Sequence, residues 1–265
     1  MMILKKIVEN KLKEVRSLKK KKPMRNLLDA VSRLPKKRSF FLEALKKDKP
    51  IAVIAEIKQR SPSKGMLRKN FSPVSLAKSF EKSGASALSV LTDEKFFGGS
   101  PELLNSVRKE TRLPILRKDF IIDAYQVFES RLIGADAILL IAAILSAGKL
   151  RRLSVLAKRL GLEVLFEVHT PSDVKKVMPL RPKLVGINNR DLKNFRVNLE
   201  TTERLSRAFS KNVFLVSESG IQSHSDLLFL KGLGVRAVLV GEALMRQKNV
   251  RAGLRKLLGD FHGSR

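Results

Sequence analysis

The sequence predicts one α/β domain, a (β/α)8 TIM barrel behind an N-terminal helical extension. Three observations carry that prediction. From residue 51 onward, strand-like apolar runs alternate with helical patterns eight times. The runs are too apolar to face water on either side, as expected of parallel strands buried on both faces. Gly84, Gly134, Gly161 and Gly234 each fall where a helical pattern stops before the next apolar run. An open doubly wound sheet is the alternative, but no Gly-x-Gly-x-x-Gly turn follows the first strand.

Taken in order, residues 3–18 place Ile3, Leu4, Ile7, Val8, Leu12, Val15 and Leu18 on one helical stripe, with Lys and Arg opposite. This reads as an amphipathic packing helix, ended by the lysines at 19–22 and by Pro23. A second, short helix is predicted over 39–47, with Ser39 as N-cap before Phe40, Phe41, Leu42 and Leu45. Both precede the first strand, so they form an appendage laid over a barrel end. Strands are predicted at 51–57, 87–91, 114–117, 137–141, 163–166, 184–187, 213–216 and 237–240. Helices are predicted at 74–82, 101–110, 124–133, 147–160, 172–178, 199–209, 225–232 and 243–258. The expected boundaries are an extension over 1–48, a barrel over 49–258 and a tail over 259–265.

Composition narrows the function. With no Cys there is no disulfide, thiolate metal site or thiol nucleophile, and no His/Asp/Glu cluster has metal-ligand spacing. No run reaches the length of a membrane span, and the basic N-terminus lacks the apolar core of a signal peptide, so the expected location is cytoplasmic. The net charge of +29 calls for anionic partners. Yet the chain has one Tyr, no Trp and no RNA- or DNA-binding motif, and residues 1–25 alone hold ten Lys/Arg against two Glu as solvated helix surface. A small anionic substrate fits better than nucleic acid as the main partner. The expected state is a monomer or weak homo-oligomer without membrane attachment.

In such barrels the chemistry sits where the strands finish. Read only there, the sequence offers Glu56 and Lys58 after strand one, Lys118-Asp119 after strand three and Glu167 after strand five. Asn188-Asn189-Arg190 follow strand six, Glu218-Ser219-Gly220 strand seven and Gly241-Glu242 strand eight. Alternation puts Glu56 and Lys58 on the same face as Ala52 and Ile54. A structural ion pair would account for that first pair alone. Charged or amide groups at six strand ends facing one mouth argue for an active site. Arg60, Ser61, Ser63 and Gly65 are able to hold an anion, as are the loops at Ser219-Gly220 and Gly241, where ordinary tight turns are the competing account. Glu242 is the odd member, since a carboxylate there repels phosphate unless it points away. Two Lys and two or three Glu remain to divide acid, base and carboxylate-binding roles. His169 reads as a loop or packing residue, and Ser219 has no His partner for a nucleophilic triad.

Seven segments in order then carry a resemblance. They are Ala55-Glu-Ile-Lys-Gln-Arg-Ser-Pro-Ser-Lys-Gly65, Phe96-Phe-Gly-Gly-Ser100, Leu116-Arg-Lys-Asp-Phe120, Glu167-Val-His169, Gly186-Ile-Asn-Asn-Arg-Asp-Leu192, Val216-Ser-Glu-Ser-Gly-Ile221 and Val240-Gly-Glu-Ala-Leu-Met-Arg246. Together they resemble the indole-3-glycerol-phosphate synthase family over all eight units and the extension. The resemblance implies a cofactor-free carboxy-lyase that closes the pyrrole ring of an anthranilate-derived deoxyribulose phosphate, releasing CO2 and water, in tryptophan biosynthesis. By motif position it implies Lys118 as the general acid of ring closure. Lys58 would hold the anthranilate carboxylate and serve as acid in the dehydration, with Glu167 as its base. Glu56 would orient the lysines, Asn188 and Glu218 would position substrate and catalytic groups, and Ser219 would contact substrate. Arg190 would position the carboxylate end and Phe97 would pack the ring. Ser61, Gly220 and Gly241 would bind phosphate with Arg60, which stands where the family often has Lys.

Overall fold

A computed structural model describes residues 2–47, 50–191 and 195–259. Residues 260–265 of the expected tail, and residues 48 and 49 at the expected boundary between extension and barrel, lie outside the described residues. The chain opens with α1 (Met2–Lys21), α2 (Met24–Ser32) and α3 (Phe41–Lys46). The second of these was not predicted, because Pro23 and Pro35 bracket a segment with one fully buried apolar residue, Leu27. Helix α1 runs past the predicted end into the lysine run. Basic side chains in a last turn meet the negative end of the helix dipole, so a run of lysines does not itself stop a helix. The third starts two residues later than predicted. Phe40 holds the N-cap position, and Ser39 instead accepts the Phe41 N–H at 3.2 Å.

Eight parallel strands close into a barrel, as expected. They are β1 (Ala52–Ile57), β2 (Ala87–Leu91), β3 (Ile115–Lys118), β4 (Ala137–Ile141), β5 (Glu163–Val168), β6 (Leu184–Asn188), β7 (Phe214–Glu218) and β8 (Ala237–Val240). Each neighbours the next in sequence, and β1 closes the ring by pairing Ala52 with Ala237 and Ile54 with Ala87. Several strands run one or two residues beyond prediction, so Lys118, Glu167, Asn188 and Glu218 lie within strands and inherit their fixed side-chain direction.

The helices are α4 (Pro73–Lys82), α5 (Glu94–Phe97), α6 (Pro101–Glu110), α7 (Ala124–Leu132), α8 (Ala147–Arg159), α9 (Pro171–Val177), α10 (Glu200–Ser206), α11 (His224–Gly232), α12 (Glu242–Met245) and α13 (Val250–Leu258). Three begin on a hydroxyl–Pro pair: Ser72-Pro73, Ser100-Pro101 and Thr170-Pro171. In each the hydroxyl accepts a first-turn N–H while the ring presets helical backbone. The single helix predicted over 243–258 is broken in two. Asn249 restarts it, its side-chain oxygen accepting from the N–H groups of Arg251 and Ala252. Among the described residues no helix is long and apolar enough to cross a membrane.

Alternation sorts the core. Ala52, Ile54, Ala87, Leu116, Ala137, Leu139, Leu165, Leu184, Phe214, Val216, Ala237 and Leu239 fill the barrel interior. The intervening residues, such as Val53, Ala55, Leu88, Val90, Ile138 and Leu140, pack under the helices. Phe41 and Leu45 of α3 belong to the interior cluster and sit beside the strand starts, so α3 plugs the bottom of the barrel. Helices α1 and α2 lie against α7, with Val15, Leu27 and Tyr125 sharing a small cluster.

Candidate active site

Parity aims Glu56, Lys118, Glu167, Asn188 and Glu218 inward at the C-terminal ends of β1, β3, β5, β6 and β7. Lys58, one step past β1, joins them. These side chains floor a cavity of about 640 Å3. Lys58 Nζ lies 2.5 Å from Glu56 Oε1. Lys118 Nζ donates to Glu167 Oε2 at 2.8 Å and to Glu218 Oε2 at 2.5 Å. Arg117, of opposite parity, turns out of the barrel to Thr92, Asp119, Ser130 and Glu129.

One buried ammonium thus serves two buried carboxylates, and it does not hold both equally. Burial opposes charge on Glu167, but Lys118, His169 and the Asn188 amide overcome it and hold the carboxyl down to about 2. Burial raises Glu218, and the charges of Glu167 and Glu56 add to this against the pull of Lys118. Glu218 is therefore the carboxyl of the pair that takes up a proton. Its Oε1 is buried with no hydrogen-bond partner among the described residues. It lies so near Gly186 that a Cβ there would stand 2.0 Å from it. Burial also penalises the charge on Lys118, yet Glu167, Glu218 and Glu56 raise its pKa well above the usual lysine range.

At one end of the cavity the loops after β1, β7 and β8 meet. Ser61, Ser219, Gly220 and Gly241 all line it. The Ser61 hydroxyl is buried and unpartnered among the described residues. Ser219 and Gly220 both take left-handed backbone, at φ 67° and 87°. A Cβ on Gly220 would stand 2.4 Å from Val197 Cγ1, so the turn needs glycine for space as well as for φ. Asn189, whose parity turns it outward, braces this turn: its amide donates to the Ser219 carbonyl at 3.0 Å and to Ser217 Oγ at 2.8 Å.

Arg60 does not reach the cavity. It begins a two-stranded ribbon, Arg60–Ser61 with Gly65–Met66, and its guanidinium donates to the carbonyls of Glu94 and Lys95, both at 2.9 Å. Beside Lys58 and Lys118, the cations that line the cavity are Lys64, Arg190 and Arg246, and of these Lys64 and Arg246 were not singled out from the sequence although both lie in the quoted motifs. Glu242 lines the cavity too, with its carboxylate engaged 3.4 Å from both Arg190 and Arg246. Arg190 also donates to Ser63 Oγ at 3.2 Å and to the Phe195 carbonyl at 3.3 Å. No group of three His, Asp or Glu among the described residues is placed to hold a metal ion.

The other side of the cavity is apolar. Phe97 and Phe120 face it with ring centroids 6.1 Å apart, and Ile3, Leu4 and Ile7 of α1 complete the wall. The packing helix of the sequence reading thus contributes its first turns to the mouth. His169 lies outside the lining; its backbone N–H donates to Asp173, and its Nε2 stands 3.4 Å from Glu167 Oε1.

The family model described as indole-3-glycerol phosphate synthase matches residues 4–257. Curated proteins of that name are similar throughout. One from Prochlorococcus marinus (strain AS9601) is 44% identical across 98% of this chain and 90% of its own length. One from Caldanaerobacter subterraneus subsp. tengcongensis is 46% identical across 92% and 94%. One from Legionella pneumophila (strain Paris) is 43% identical across 97% and 99%. Among solved structures, KGPDC from Streptococcus mutans superposes with a TM-score of 0.60 at 12% identity, covering 78% of this chain and 95% of that one. A mandelate oxidase mutant superposes at 0.59 and 17%, covering 79% of this chain and 71% of its own. At such identities these two likenesses speak to the fold alone.

Proposed function

This chain belongs to the indole-3-glycerol phosphate synthase family, and from that membership we propose how its mouth divides the work of ring closure. The enzyme is a carboxy-lyase of the tryptophan pathway acting on a small phosphate substrate. The substrate carries a phosphate, a keto carbon and an anthranilate carboxylate. The ring carbon bearing the carboxylate attacks the keto carbon, CO2 then leaves and restores aromaticity, and loss of water completes the indole.

The first step places negative charge on the keto oxygen. Lys118 is the group we assign to it, and the observation that carries this assignment is its buried ammonium between Glu167 and Glu218. A lysine held that far up gives its proton only to a strong base, and a developing alkoxide is one. Protonated Glu218 is placed to restore the proton to Lys118. As substrate draws Lys118 away, Glu167 is left as an ionised carboxylate, ready to take a proton in the dehydration. Lys58, kept in place by Glu56, meets the substrate carboxylate and then assists departure of the hydroxyl, with Arg190 steadying the same end. Asn188 orients Glu167.

Ser61, the left-handed Ser219–Gly220 turn and Gly241 form the phosphate cradle, with Lys64 and Arg246 supplying the charge first expected of Arg60. Glu242 holds Arg190 and Arg246 and is not itself a phosphate ligand. The ring packs between Phe97, Phe120 and the start of α1. This reading includes a cytoplasmic enzyme working as a monomer or weak homo-oligomer, in keeping with a chain that carries no Cys.

Incubating the enzyme with the anthranilate-derived deoxyribulose phosphate while following indole fluorescence tests the proposal. The expected result is indole formation that falls steeply in Lys118→Met and in Glu167→Gln. Full activity in both variants would refute the division of roles.

A further inference from the structure

Lys11 lies in the middle of α1, a helix whose other lysines face water, yet it is only 4% exposed. Its ammonium contacts three carboxylates: Glu14 at 2.7 Å, Asp93 at 2.9 Å and Asp119 at 3.0 Å. Burial works against this charge, and Asp119, Asp93 and Glu14 more than offset it. The two aspartates are almost wholly buried, and each fixes a different piece of the mouth. Asp93 follows β2 and caps α5 by accepting the Phe96 N–H at 2.9 Å, which sets the helix that presents Phe97. Asp119 follows Lys118 directly. It accepts the Phe120 N–H at 2.7 Å, and its other oxygen takes Thr92 Oγ1 at 2.6 Å and Arg117 at 3.1 Å. Lys11's own helix brings Ile3, Leu4 and Ile7 to the same cavity.

We propose that Lys11 is a positioning residue for catalysis, the tie that seats α1 against the ends of β2 and β3 and so assembles the apolar wall that receives the substrate's aromatic ring. The five wall residues come from three separate pieces of chain; Lys11 belongs to one of them and its ammonium forms ion pairs with an aspartate of each of the other two. A stability anchor alone does not need to sit here: Lys19 already joins α1 to Asp123 at 2.8 Å, and Asn10 accepts from Lys95 at 3.2 Å. The proposal rests on the placement of the ring given above.

The test uses two simple probes on the full chain, anthranilate for the wall and inorganic phosphate for the opposite loops. Both are titrated against wild type, Lys11→Met, Lys11→Arg and the double variant Lys11→Gln/Asp93→Asn. The double variant keeps the α5 cap and leaves Asp119 its Arg117 cation, so it folds even where Lys11→Met does not. Expected is a loss of anthranilate affinity of about tenfold or more in Lys11→Met and in the double variant. Phosphate affinity should hold within about twofold, and Lys11→Arg should recover most of the loss by keeping the charge. In turnover the same variants should raise KM more than they lower kcat. Unchanged anthranilate binding in a folded variant overturns the proposal, and so does a parallel loss of both probes, which is general loosening. Failure of the wild type to bind anthranilate would instead overturn the ring placement itself.

Discussion

Lys118→Met keeps most of the side chain's reach and removes the ammonium that Glu167 and Glu218 share at 2.8 and 2.5 Å. Stripping the cation from a buried pair ordinarily costs about 3–5 kcal/mol. Here the cost is softened, because Glu218 is already pushed up by burial and binds a proton in place of the lost contact. The variant therefore folds with a lowered Tm. Its kcat should fall at least about a hundredfold, the lower end for losing an acid catalyst. KM should move far less, since the phosphate and the ring are held by other residues. The same ammonium also supports acid tolerance. Glu167 is lowered from 4.5 to about 2 in the fold. A carboxyl depressed in this way contributes stability that is complete above its unfolded pKa and is lost as pH falls through its folded pKa. That contribution is lost as pH falls from about 4.5 towards 2. In Lys118→Met the largest opponent of burial is gone and only His169 and the Asn188 amide remain, so the melting temperature should be lower already above that window and depend less on pH within it. Indole fluorescence reads the rate, and circular dichroism melts across the acid range read the stability. A folded Lys118→Met with near-normal kcat would refute this reasoning and move the acid role to Lys58.

Gly220→Asp puts a carboxylate and a Cβ where Val197 stands 2.4 Å away, and should weaken substrate binding by at least about tenfold; a phosphate-free analogue should bind variant and wild type alike, as isothermal titration would show. Gly241→Ala drives a Cβ to 2.3 Å from Glu56 Oε1 and 3.0 Å from Lys58 Nζ, so kcat should drop with little change in fold, read by turnover beside a melt. Phe41→Ala empties a fully buried site at the barrel bottom and should cost about 3–5 kcal/mol in denaturant unfolding, with KM unchanged in the folded fraction. The net charge of +29 attracts a substrate bearing phosphate and carboxylate, so added salt should lower kcat/KM modestly and through KM; tight, sequence-selective binding to duplex DNA would overturn that account.

Strand direction was the most legible property of the chain. Once a strand's apolar run is found, period-two alternation decides which end residues look inward, and that put Glu56 and Lys58 on the face of Ala52 and Ile54 without coordinates; extended to the strand ends seen in the structure, the same rule turns Lys118 and Asn188 in and Arg117 and Asn189 out. Loops obey no such rule. Arg60 has the right charge in the right motif, but a two-residue ribbon turns it to the α5 carbonyls, while Lys64 and Arg246 arrive at the cavity by a path no periodicity describes. Lys11 was hidden for the opposite reason. It falls one turn after Ile7 and one turn before Val15, squarely on the buried face, whereas Leu12, counted on the apolar stripe, is 40% exposed. The signal was a charged residue in phase with a core, and sorting by hydropathy alone passes over it. The break between α12 and α13 was missed because Asn249 caps from inside a stretch whose apolar spacing continues on both sides.

Helix α3 has a consequence for how this chain comes to be folded. Ala52, Ala87, Ala137 and Ala237 keep the bottom of the barrel roomy, and Phe41 with Leu45 fills that room from outside the ring. The plug is made before any strand, and it packs on β1 and β2, yet the interior cluster it joins is completed by Ala237 and Leu239 of β8, the last strand of the circle. During synthesis Phe41 therefore waits, without its final neighbours, until the last strand has joined. An incomplete ring offers both an open β-edge and a vacant apolar floor, and the two are closed by the same late event. Closure of this barrel is thus tied to arrival of its earliest segment, which makes partly built rings poor stopping points and couples ring formation to the extension that carries the mouth's apolar wall.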